Sequence, residues 1–186
     1  RGLGTYMVNM GELFGHRRIG NIEMERVPLT ESEANKTLLQ VGDLLFARQS
    51  LVWSGAGQCS IITKATEPRT FEGHLIRCRL NTEKAEPWVF FYYFWSNEGR
   101  SRIESLIEQV AAAGIRGSDL AKLLVLAPPI GIQKRFASSV NELEARIAAN
   151  ENESRTLAQL RDALLPKLLS GEIRVKEAAQ ALEAVA

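Results

Sequence analysis

The sequence predicts an α+β fold, in which a globular domain of mixed strands and helices precedes a long C-terminal helix that forms an antiparallel coiled coil. Short apolar runs bounded by glycine and polar residues occupy the chain up to residue 80, as is typical of β-strands. From residue 129 onward, apolar residues recur at spacings of three and four, which is typical of a helix that packs against another helix. We therefore expect a domain over residues 1–128, a long helix over residues 129–171 and a C-terminal tail over residues 172–186.

The first half of the domain is expected to consist mainly of strands. The apolar runs predict strands at residues 4–10, 44–47, 59–63 and 74–80. A turn at residues 42–43 precedes the second of these strands, and the pair Thr30 and Glu33 is typical of a turn or a helix start. Glycines predict loops at residues 11–20 and 49–57.

Helices are expected to dominate from Pro87 onward, because proline favours the first turn of a helix. The aromatic run WVFFYYFW that follows predicts a helix in the core rather than a surface on which bases stack. The next predicted elements are a helical face over residues 100–110, a loop at residues 111–117, a short turn capped by Ser118 and a strand at residues 123–126. Pro128 and Pro129 end the domain and favour the start of the next helix.

The long helix is expected over about residues 129–165, which corresponds to about 55 Å at 1.5 Å per residue. A helix of that length extends beyond the core of a domain of this size, so we expect an antiparallel homodimer in which Asn150 and Ser154 meet near the two-fold axis. Pro166 is expected to interrupt the hydrogen-bond ladder and Gly171 to cap the end. The predicted dimer interface comprises Phe136, Val140, Leu143, Ile147, Asn150, Ser154, Leu157, Leu160 and Leu164.

Charge and composition set limits on the function. The net charge is +1, with fifteen basic against fourteen acidic residues in residues 1–128 and eight of each in residues 129–186. Nucleic-acid-binding proteins usually carry a basic excess, so this balance favours neither DNA binding nor its absence. No run of about eighteen apolar residues predicts a membrane-spanning helix, so we expect no membrane partner. Cys59 and Cys78 are expected to be free thiols in the core, and the two histidines and two cysteines have no paired spacing that predicts a metal site.

Four stretches of the sequence carry a resemblance to one protein family. The long helix begins with Pro-Pro-x-x-Ile-Gln at residues 128–133 and ends with LLPKLLSGEI at residues 164–173. The domain contains GDLLFAR at residues 42–48 and GIRGSDL at residues 114–120. These stretches resemble the DNA-specificity subunits of type I restriction–modification systems, which have a Pro-Pro-x-x-Glu-Gln junction and a Leu-Leu-x-x-Leu-Leu-Ser-Gly-x-Ile ending. Ile132 stands where that family usually has glutamate.

The resemblance implies a non-catalytic subunit that recognises DNA sequence in the cytoplasm. Residues 1–128 are then a target-recognition domain that reads one half of a bipartite site in double-stranded DNA. The helix is a spacer that docks modification (methyltransferase) subunits and, through them, restriction subunits. The resemblance implies no cofactor in this chain, with S-adenosylmethionine, Mg²⁺ and ATP only on the partner subunits. Since a complete subunit has two such units in tandem, we expect either a half-subunit that dimerises or a piece of a longer protein.

Arginine and amide side chains in predicted loops are the candidates for reading base edges, because arginine pairs with guanine and glutamine with adenine in the major groove. The first choice is Arg48, Gln49 and Ser50, where a strand passes into a loop, and the second is Arg116. For any one surface arginine, solvation or a salt bridge is the commoner role. The candidate base contacts are Arg17, Arg18, Arg48, Gln49, Ser50, Arg69 and Arg116, and the candidate phosphate contacts are Lys64, Arg77, Arg79 and Lys122.

Two other classes of function compete with DNA recognition. Residues 127–130 (Ala-Pro-Pro-Ile) partly resemble the Asn/Asp-Pro-Pro-aromatic motif of adenine methyltransferases, but they lack both the polar residue that holds the amino group and the aromatic ring that stacks on a flipped base. No glycine-rich loop follows a strand as in a nucleotide-binding site, so an enzyme is disfavoured. A coiled-coil dimerisation or adaptor protein without DNA binding is the main alternative, and a dimer that shifts no duplex would favour it.

Overall fold

The structure is a computed structural model, and it describes residues 4–109 and 112–173. It confirms the α+β class and the long C-terminal helix. The predicted tail from residue 174 onward, and Val110 of the predicted helical face, lie outside the described residues. The helices of the described residues are Met10–Gly15 (α1), Glu31–Thr37 (α2), Pro87–Trp95 (α3), Asn97–Glu104 (α4), Gly117–Leu120 (α5) and Ile130–Leu169 (α6), with a 3-10 turn at Trp53–Gly55.

Short strands in the described residues form three sheets. The strands are Thr5–Val8 (β1), Arg18–Ile19 (β2), Glu25–Val27 (β3), Leu44–Ala47 (β4), Gln49–Ser50 (β5), Cys59–Ile62 (β6), Arg69–Phe71 (β7), Leu75–Cys78 (β8), Glu108–Gln109 (β9) and Ala113–Gly114 (β10). The central sheet has the order β2-β6-β4-β8, and β4 is antiparallel to both of its neighbours. The two smaller sheets have the orders β3-β1-β7 and β5-β10-β9.

The strand β4 separates two hydrophobic clusters. Leu45 and Ala47 belong to one cluster and Leu44 and Phe46 to the other, because successive side chains of a strand point to opposite faces. All four side chains are fully buried, which explains the continuous apolar run that predicted this strand. The first cluster comprises Val8, Leu13, Ile19, Leu39, Leu45, Ala47, Ile62 and Leu75, and the second comprises Leu44, Phe46, Cys59, Ile61, Phe90, Phe91, Ile103 and Ile115.

The aromatic helix α3 lies in the core, as its sequence predicted. It begins at Pro87, and its residues Phe90 and Phe91 are buried in the second cluster. Phe94 meets Phe46 edge to face with ring centroids 5.1 Å apart. The indole N–H of Trp95 donates a hydrogen bond to the Cys59 carbonyl oxygen at 3.0 Å. These contacts account for the aromatic run by packing.

Local capping motifs start the first two helices. At Thr30 the prediction of a helix start is confirmed, because the Glu33 backbone N–H donates to the Thr30 hydroxyl at 3.3 Å and α2 follows. The loop prediction for residues 11–20 is wrong, since α1 and β2 occupy most of this range. Asn9 caps α1, and its own backbone N–H donates to the Glu12 carboxylate at 3.0 Å. This capping box offsets the low helix propensity of the glycines that suggested a loop.

The strand predicted at residues 123–126 is absent. Leu123 and Val125 pack against the second cluster, whereas Leu124 and Leu126 are each 83% exposed. The side chains of this segment are therefore alternately buried and exposed, as in a strand. The segment lacks the backbone hydrogen bonds of a strand, because no strand of the described sheets pairs with it. A strand needs a hydrogen-bonded neighbour, and the pattern of side chains alone does not supply one.

Several element boundaries also differ from the sequence prediction. The helix expected over residues 100–110 ends at Glu104, and the chain then enters β9. Ser118 lies inside α5 and does not cap it, since Arg116 is the residue at the cap position. The sequence does not predict the strands β3 and β7, because their charged and polar residues hide the alternation of apolar and polar residues that is typical of a strand. The loop expected at residues 49–57 contains β5 and the 3-10 turn.

The long helix α6 continues past Pro166 to Leu169. Gly171 follows with a φ of 74°, and its backbone N–H donates to the Leu168 carbonyl oxygen at 3.2 Å, which confirms the predicted glycine cap. The chain divides into two compact units, of which the first ends at Ala137 and the second begins at Ser138. No helix of the described residues is both long enough and apolar enough to cross a membrane.

The first turn of α6 is fixed within the first unit by the buried side chain of Gln133, which is 1% exposed. Its Nε2 atom donates to the Pro128 carbonyl oxygen at 2.6 Å and to the Lys84 carbonyl oxygen at 3.3 Å. Its Oε1 atom accepts the Glu86 backbone N–H at 2.9 Å, at the start of α3. Gln133 thus satisfies backbone groups at the beginning of two helices.

We predict that Gln133→Ala lowers the free energy of unfolding by about 1–3 kcal/mol, because it removes three hydrogen bonds to backbone groups near the start of two helices. The measurement is urea unfolding followed by tryptophan fluorescence. The matched control is Lys134→Ala, the exposed neighbour in the same turn, which should stay within about 0.5 kcal/mol of the wild type. Equal stability of the two variants would contradict the role of Gln133.

Candidate nucleic-acid interface

The pairing of β5 with β10 brings together two loops that are far apart in the sequence. Gln49 pairs with Gly114 in an antiparallel register. Beside this pair, the Ile115 backbone N–H donates to the Arg48 carbonyl oxygen at 2.8 Å. Arg116 follows directly, so the first and second choices for base contacts lie in adjacent segments. The strand β4, which ends one residue before Arg48, anchors the arrangement to the central sheet.

His74 is a member of this site that the sequence prediction missed. It lies in the turn before β8 rather than in a strand, and its carbonyl oxygen accepts the Arg48 backbone N–H at 2.8 Å. Gln49 Nε2 lies 3.0 Å from His74 Nδ1, so the amide donates one hydrogen bond to the imidazole. No local signal could have identified this contact, because it joins residues 25 positions apart. We call Arg48, Gln49, His74 and Arg116 the loop cluster.

The side chains of the loop cluster face solvent. Arg48, Gln49, His74 and Arg116 are all exposed. The hydrogen bond to His74 orients the Gln49 amide and leaves its oxygen and one N–H for another partner, which is the pair of groups that adenine N6 and N7 require. Arg116 donates to the Glu108 carboxylate at 2.6 Å, but both side chains are more than half exposed, and such a pair exchanges readily. For Arg48, no hydrogen bond or ion pair of its side chain is found among the described residues.

Two residues proposed for base contacts are turned into the protein. Arg69 is 1% exposed, and its guanidinium donates to the Gly20 carbonyl oxygen at 2.7 Å. Burial lowers the pKa of Arg69, as expected for a cation held away from water. Ser50 is also buried, and its hydroxyl accepts the Val52 backbone N–H at 3.2 Å. Neither side chain can reach a base edge, so both assignments are wrong.

Two of the expected phosphate contacts stabilise the fold instead. Arg79 binds the buried Asp43 carboxylate through two nitrogen atoms, at 2.7 Å and 2.6 Å. The hydrogen bond to Asp43 raises the pKa of Arg79. Arg77 donates to the Leu38 carbonyl oxygen at 3.0 Å, and Arg79 shares that acceptor at the same distance. These two arginines hold the segment that leads into β4, and their guanidinium groups are already engaged.

The remaining cations lie outside the loop cluster. Arg17 stacks on Trp95, with its guanidinium carbon 3.7 Å from the ring centroid. Arg18 lies in β2 opposite Ile61. Lys64 and Lys122 are exposed, and among the described residues no hydrogen bond or ion pair connects either of them to the loop cluster. Their assignment as phosphate contacts stays a prediction.

The predicted seam on α6 presents an uneven surface. Leu143 is 59% and Leu157 is 56% exposed, and the polar pair Asn150 and Ser154 between them is also exposed. Phe136 meets Tyr92 edge to face, with ring centroids 6.0 Å apart, inside the first unit. The buried seam residue is Val140, and the half-buried ones are Ile147, Leu160 and Leu164. The dimer interface itself stays a prediction.

Three curated proteins that are similar in sequence to this chain are specificity subunits. The chain is 29% identical over 165 residues to the type I restriction enzyme EcoKI specificity subunit of Escherichia coli strain K12, which covers 84% of this chain and 35% of the relative. It is 42% identical over 60 residues to the MjaIX specificity subunit of Methanocaldococcus jannaschii, covering 32% of this chain and 14% of the relative. It is 24% identical over 161 residues to the MjaVIII specificity subunit of the same organism, covering 84% and 38%. No protein-family model matches the chain.

Solved structures show the same fold. The HsdS subunit from Thermoanaerobacter tengcongensis aligns with a TM-score of 0.53 at 17% identity, over 86% of this chain and 42% of that one. A chain from a study of complex assembly and conformational transition of the type I restriction–modification system aligns with a TM-score of 0.55 at 16% identity, with the same coverage. The resemblance predicted from the motifs is thus confirmed. The chain spans about a third of the length of the curated relatives that match most of it.

We predict different effects for a fold-stabilising arginine and an exposed one. Arg79→Ala should lower the free energy of unfolding by about 1–2 kcal/mol, because the buried Asp43 carboxylate loses two hydrogen bonds from a cation. Arg48→Ala should change it by less than about 0.5 kcal/mol. Urea unfolding of both variants is the measurement, and an equal loss in both would show that Arg48 also supports the fold.

Proposed function

We propose that this chain recognises sequence in double-stranded DNA as part of a type I restriction–modification specificity subunit, and that it reads one half of a bipartite site without catalytic activity of its own. The observation that carries this proposal is the loop cluster, which brings together Arg48 and Arg116, suited to guanine, and Gln49, suited to adenine, at one exposed place where β5 pairs with β10. The specificity subunits among the relatives support the same function.

The charge balance favours recognition through a few specific contacts. With a net charge of +1, the salt-dependent attraction to phosphates is expected to be small. Two arginines that could have added to it, Arg77 and Arg79, are engaged within the fold. Each bidentate contact to a base contributes about 1–3 kcal/mol of discrimination. The proposal therefore places most of the sequence preference on the loop cluster.

The proposal includes dimerisation through the long helix. A second copy, packed antiparallel, would cover the exposed Leu143 and Leu157 and would pair Asn150 with Ser154 near the two-fold axis. Polar residues at such positions fix the register of a coiled coil. The two domains of the dimer would then read the two halves of the site.

The proposal assigns the end of α6 to the partner subunits. Leu165 is 49% and Leu169 is 80% exposed, so the last turns present apolar surface before Gly171 ends the helix. We assign docking of the methyltransferase subunits to this surface, and restriction subunits would join through them. S-adenosylmethionine, Mg²⁺ and ATP then belong to those partners, and the complex acts on chromosomal DNA in the cytoplasm.

We predict that Arg48→Ala and Gln49→Ala relax the preferred sequence by about 1–3 kcal/mol for each lost bidentate contact. Lys122→Ala should instead weaken all duplexes about equally and flatten the salt dependence, as expected for a phosphate contact. The measurement is competition binding to a randomised duplex pool by the chain assembled with its methyltransferase subunits.

Two outcomes of this experiment would count against the assignment. If Lys122→Ala changed the preferred sequence while Arg48→Ala and Gln49→Ala left it intact, the division into base and phosphate contacts would be wrong. If the wild type shifted no duplex, with or without partner subunits, the adaptor alternative would replace DNA recognition. The small net charge is consistent with that alternative, because DNA-binding proteins usually carry an excess of basic residues.

We predict that the wild type is a dimer in light scattering at micromolar concentration and that Leu143→Asp is a monomer, because a buried unpaired carboxylate would oppose association. Glu142→Ala, the exposed neighbour on the same helix, is the control and should remain dimeric. A monomeric wild type would refute the homodimer and leave DNA recognition to be judged by the binding experiment.

A further inference from the structure

We propose that Leu51 reads the 5-methyl group of a thymine in the major groove, next to the base that Gln49 reads. This inference rests on the proposed function, because it requires the loop cluster to face a DNA groove. It adds an apolar specificity contact to a site for which the sequence indicated only charged and polar side chains.

Leu51 begins an unusual exposed apolar segment. Its side chain is 97% exposed, and Val52 and Trp53 follow at 61% and 44%. A single exposed aliphatic residue is ordinary, but three in succession beside a polar cluster indicate a contact surface. In the free protein Leu51 is almost fully exposed to water. A bound partner that removed its side chain from water would therefore be stabilised by the hydrophobic effect.

The backbone that carries Leu51 is fixed on both sides. Before it, Ser50 pairs with Ala113 in the small sheet, and the Ser50 hydroxyl accepts the Val52 backbone N–H at 3.2 Å. After it, the Val52 carbonyl oxygen accepts the Gly55 backbone N–H at 3.0 Å, which closes the 3-10 turn. Because these hydrogen bonds already hold the loop, little conformational entropy is expected to be lost when the side chain meets its target.

Gly55 is needed for this tight loop. A Cβ atom at position 55 would overlap the Ser50 hydroxyl oxygen, and it would lie 3.3 Å from Cε1 of Phe14. The absence of a side chain allows the 3-10 turn to lie against Ser50, whose hydroxyl supports the loop. The sequence thus specifies a closely packed support beneath an exposed leucine.

Leu51 lies directly beyond the loop cluster. The strand β5 ends at Ser50, and Leu51 lies in the bend that follows it. Gln49 and Leu51 are both exposed, whereas Ser50 between them is buried. Two residues of chain span at most about 7 Å, and successive base pairs lie about 3.4 Å apart along the helix axis. Leu51 is therefore within reach of a base pair close to the one that Gln49 reads.

The chemistry of the major groove selects thymine. The amide of Gln49 matches adenine N6 and N7, and these atoms are exposed only in the major groove. In that groove thymine alone presents a methyl group, and an aliphatic side chain is the partner that such a methyl group prefers. Leu51 has no polar atom with which to read the other base edges. The geometry and the chemistry together assign a thymine methyl group to Leu51.

The test compares thymine with uracil, which differ at this position by the 5-methyl group alone. A site is first selected by the wild-type chain, assembled with its methyltransferase subunits, from a randomised duplex pool. The selected duplex is then remade with uracil at one thymine at a time. At one of these positions we expect wild-type binding to fall about fourfold, the value for one buried methyl group. Leu51→Ala should bind the thymine and uracil forms of that duplex equally.

Val41→Ala is the matched control, because Val41 is 63% exposed on the turn before β4 and should leave the preference for thymine unchanged. Selection with Leu51→Ala should still give the preference that depends on Gln49, which shows that the variant is folded. If the wild type selects no sequence, the proposed function fails. If it selects one but binds every uracil form as tightly as thymine, or if Leu51→Ala keeps the discrimination, the proposed function stands and this inference is overturned. An equal loss for both forms in Leu51→Ala would indicate a steric wedge and would also overturn it.

Discussion

The burial of β4 on both faces is the constraint on which the rest of the domain depends. Its four apolar side chains belong alternately to two hydrophobic clusters, so the strand must lie at the centre of the sheet. The chain leaves this strand at Ala47 and immediately becomes polar at Arg48 and Gln49. The same strand that forms the core therefore leads directly into the loop cluster, so the position of the cluster is set by the most deeply buried strand of the fold.

The parts of the fold that depend on local patterns could be predicted from the sequence, and the parts that depend on pairing could not. Residues 44–47 are apolar without interruption and Pro87 sets the start of α3, so both elements were predicted correctly. The segment at residues 123–126 has the alternation of a strand but lacks a hydrogen-bonded neighbour. At residues 11–20 the glycines predict a loop, whereas the capping box formed by Asn9 and Glu12, which the sequence also contains, starts the helix α1.

The candidate site shows the same division. Sequence identifies which side chains can read bases, but the tertiary fold decides which of them are available. The partners that bury or engage Arg69 and Arg79 lie 49 and 36 positions away, at Gly20 and Asp43. Arg48 looks no different in the sequence, yet it stands exposed at the end of a buried strand. His74 lies in the site only because β8 pairs with β4, and no local sequence motif predicts that pairing.

On the proposed function, the small charge of the domain and the length of its helix belong together. A domain with a weak general attraction to DNA gains its preference from a few contacts of about 1–3 kcal/mol each. One such domain distinguishes only a short sequence. Joining two domains through a helix makes the second binding event intramolecular, so the discrimination of the two halves combines without a larger basic surface. A long α6 with exposed Leu143 and Leu157 would provide such a connection in the proposed dimer, and each domain could then remain nearly neutral.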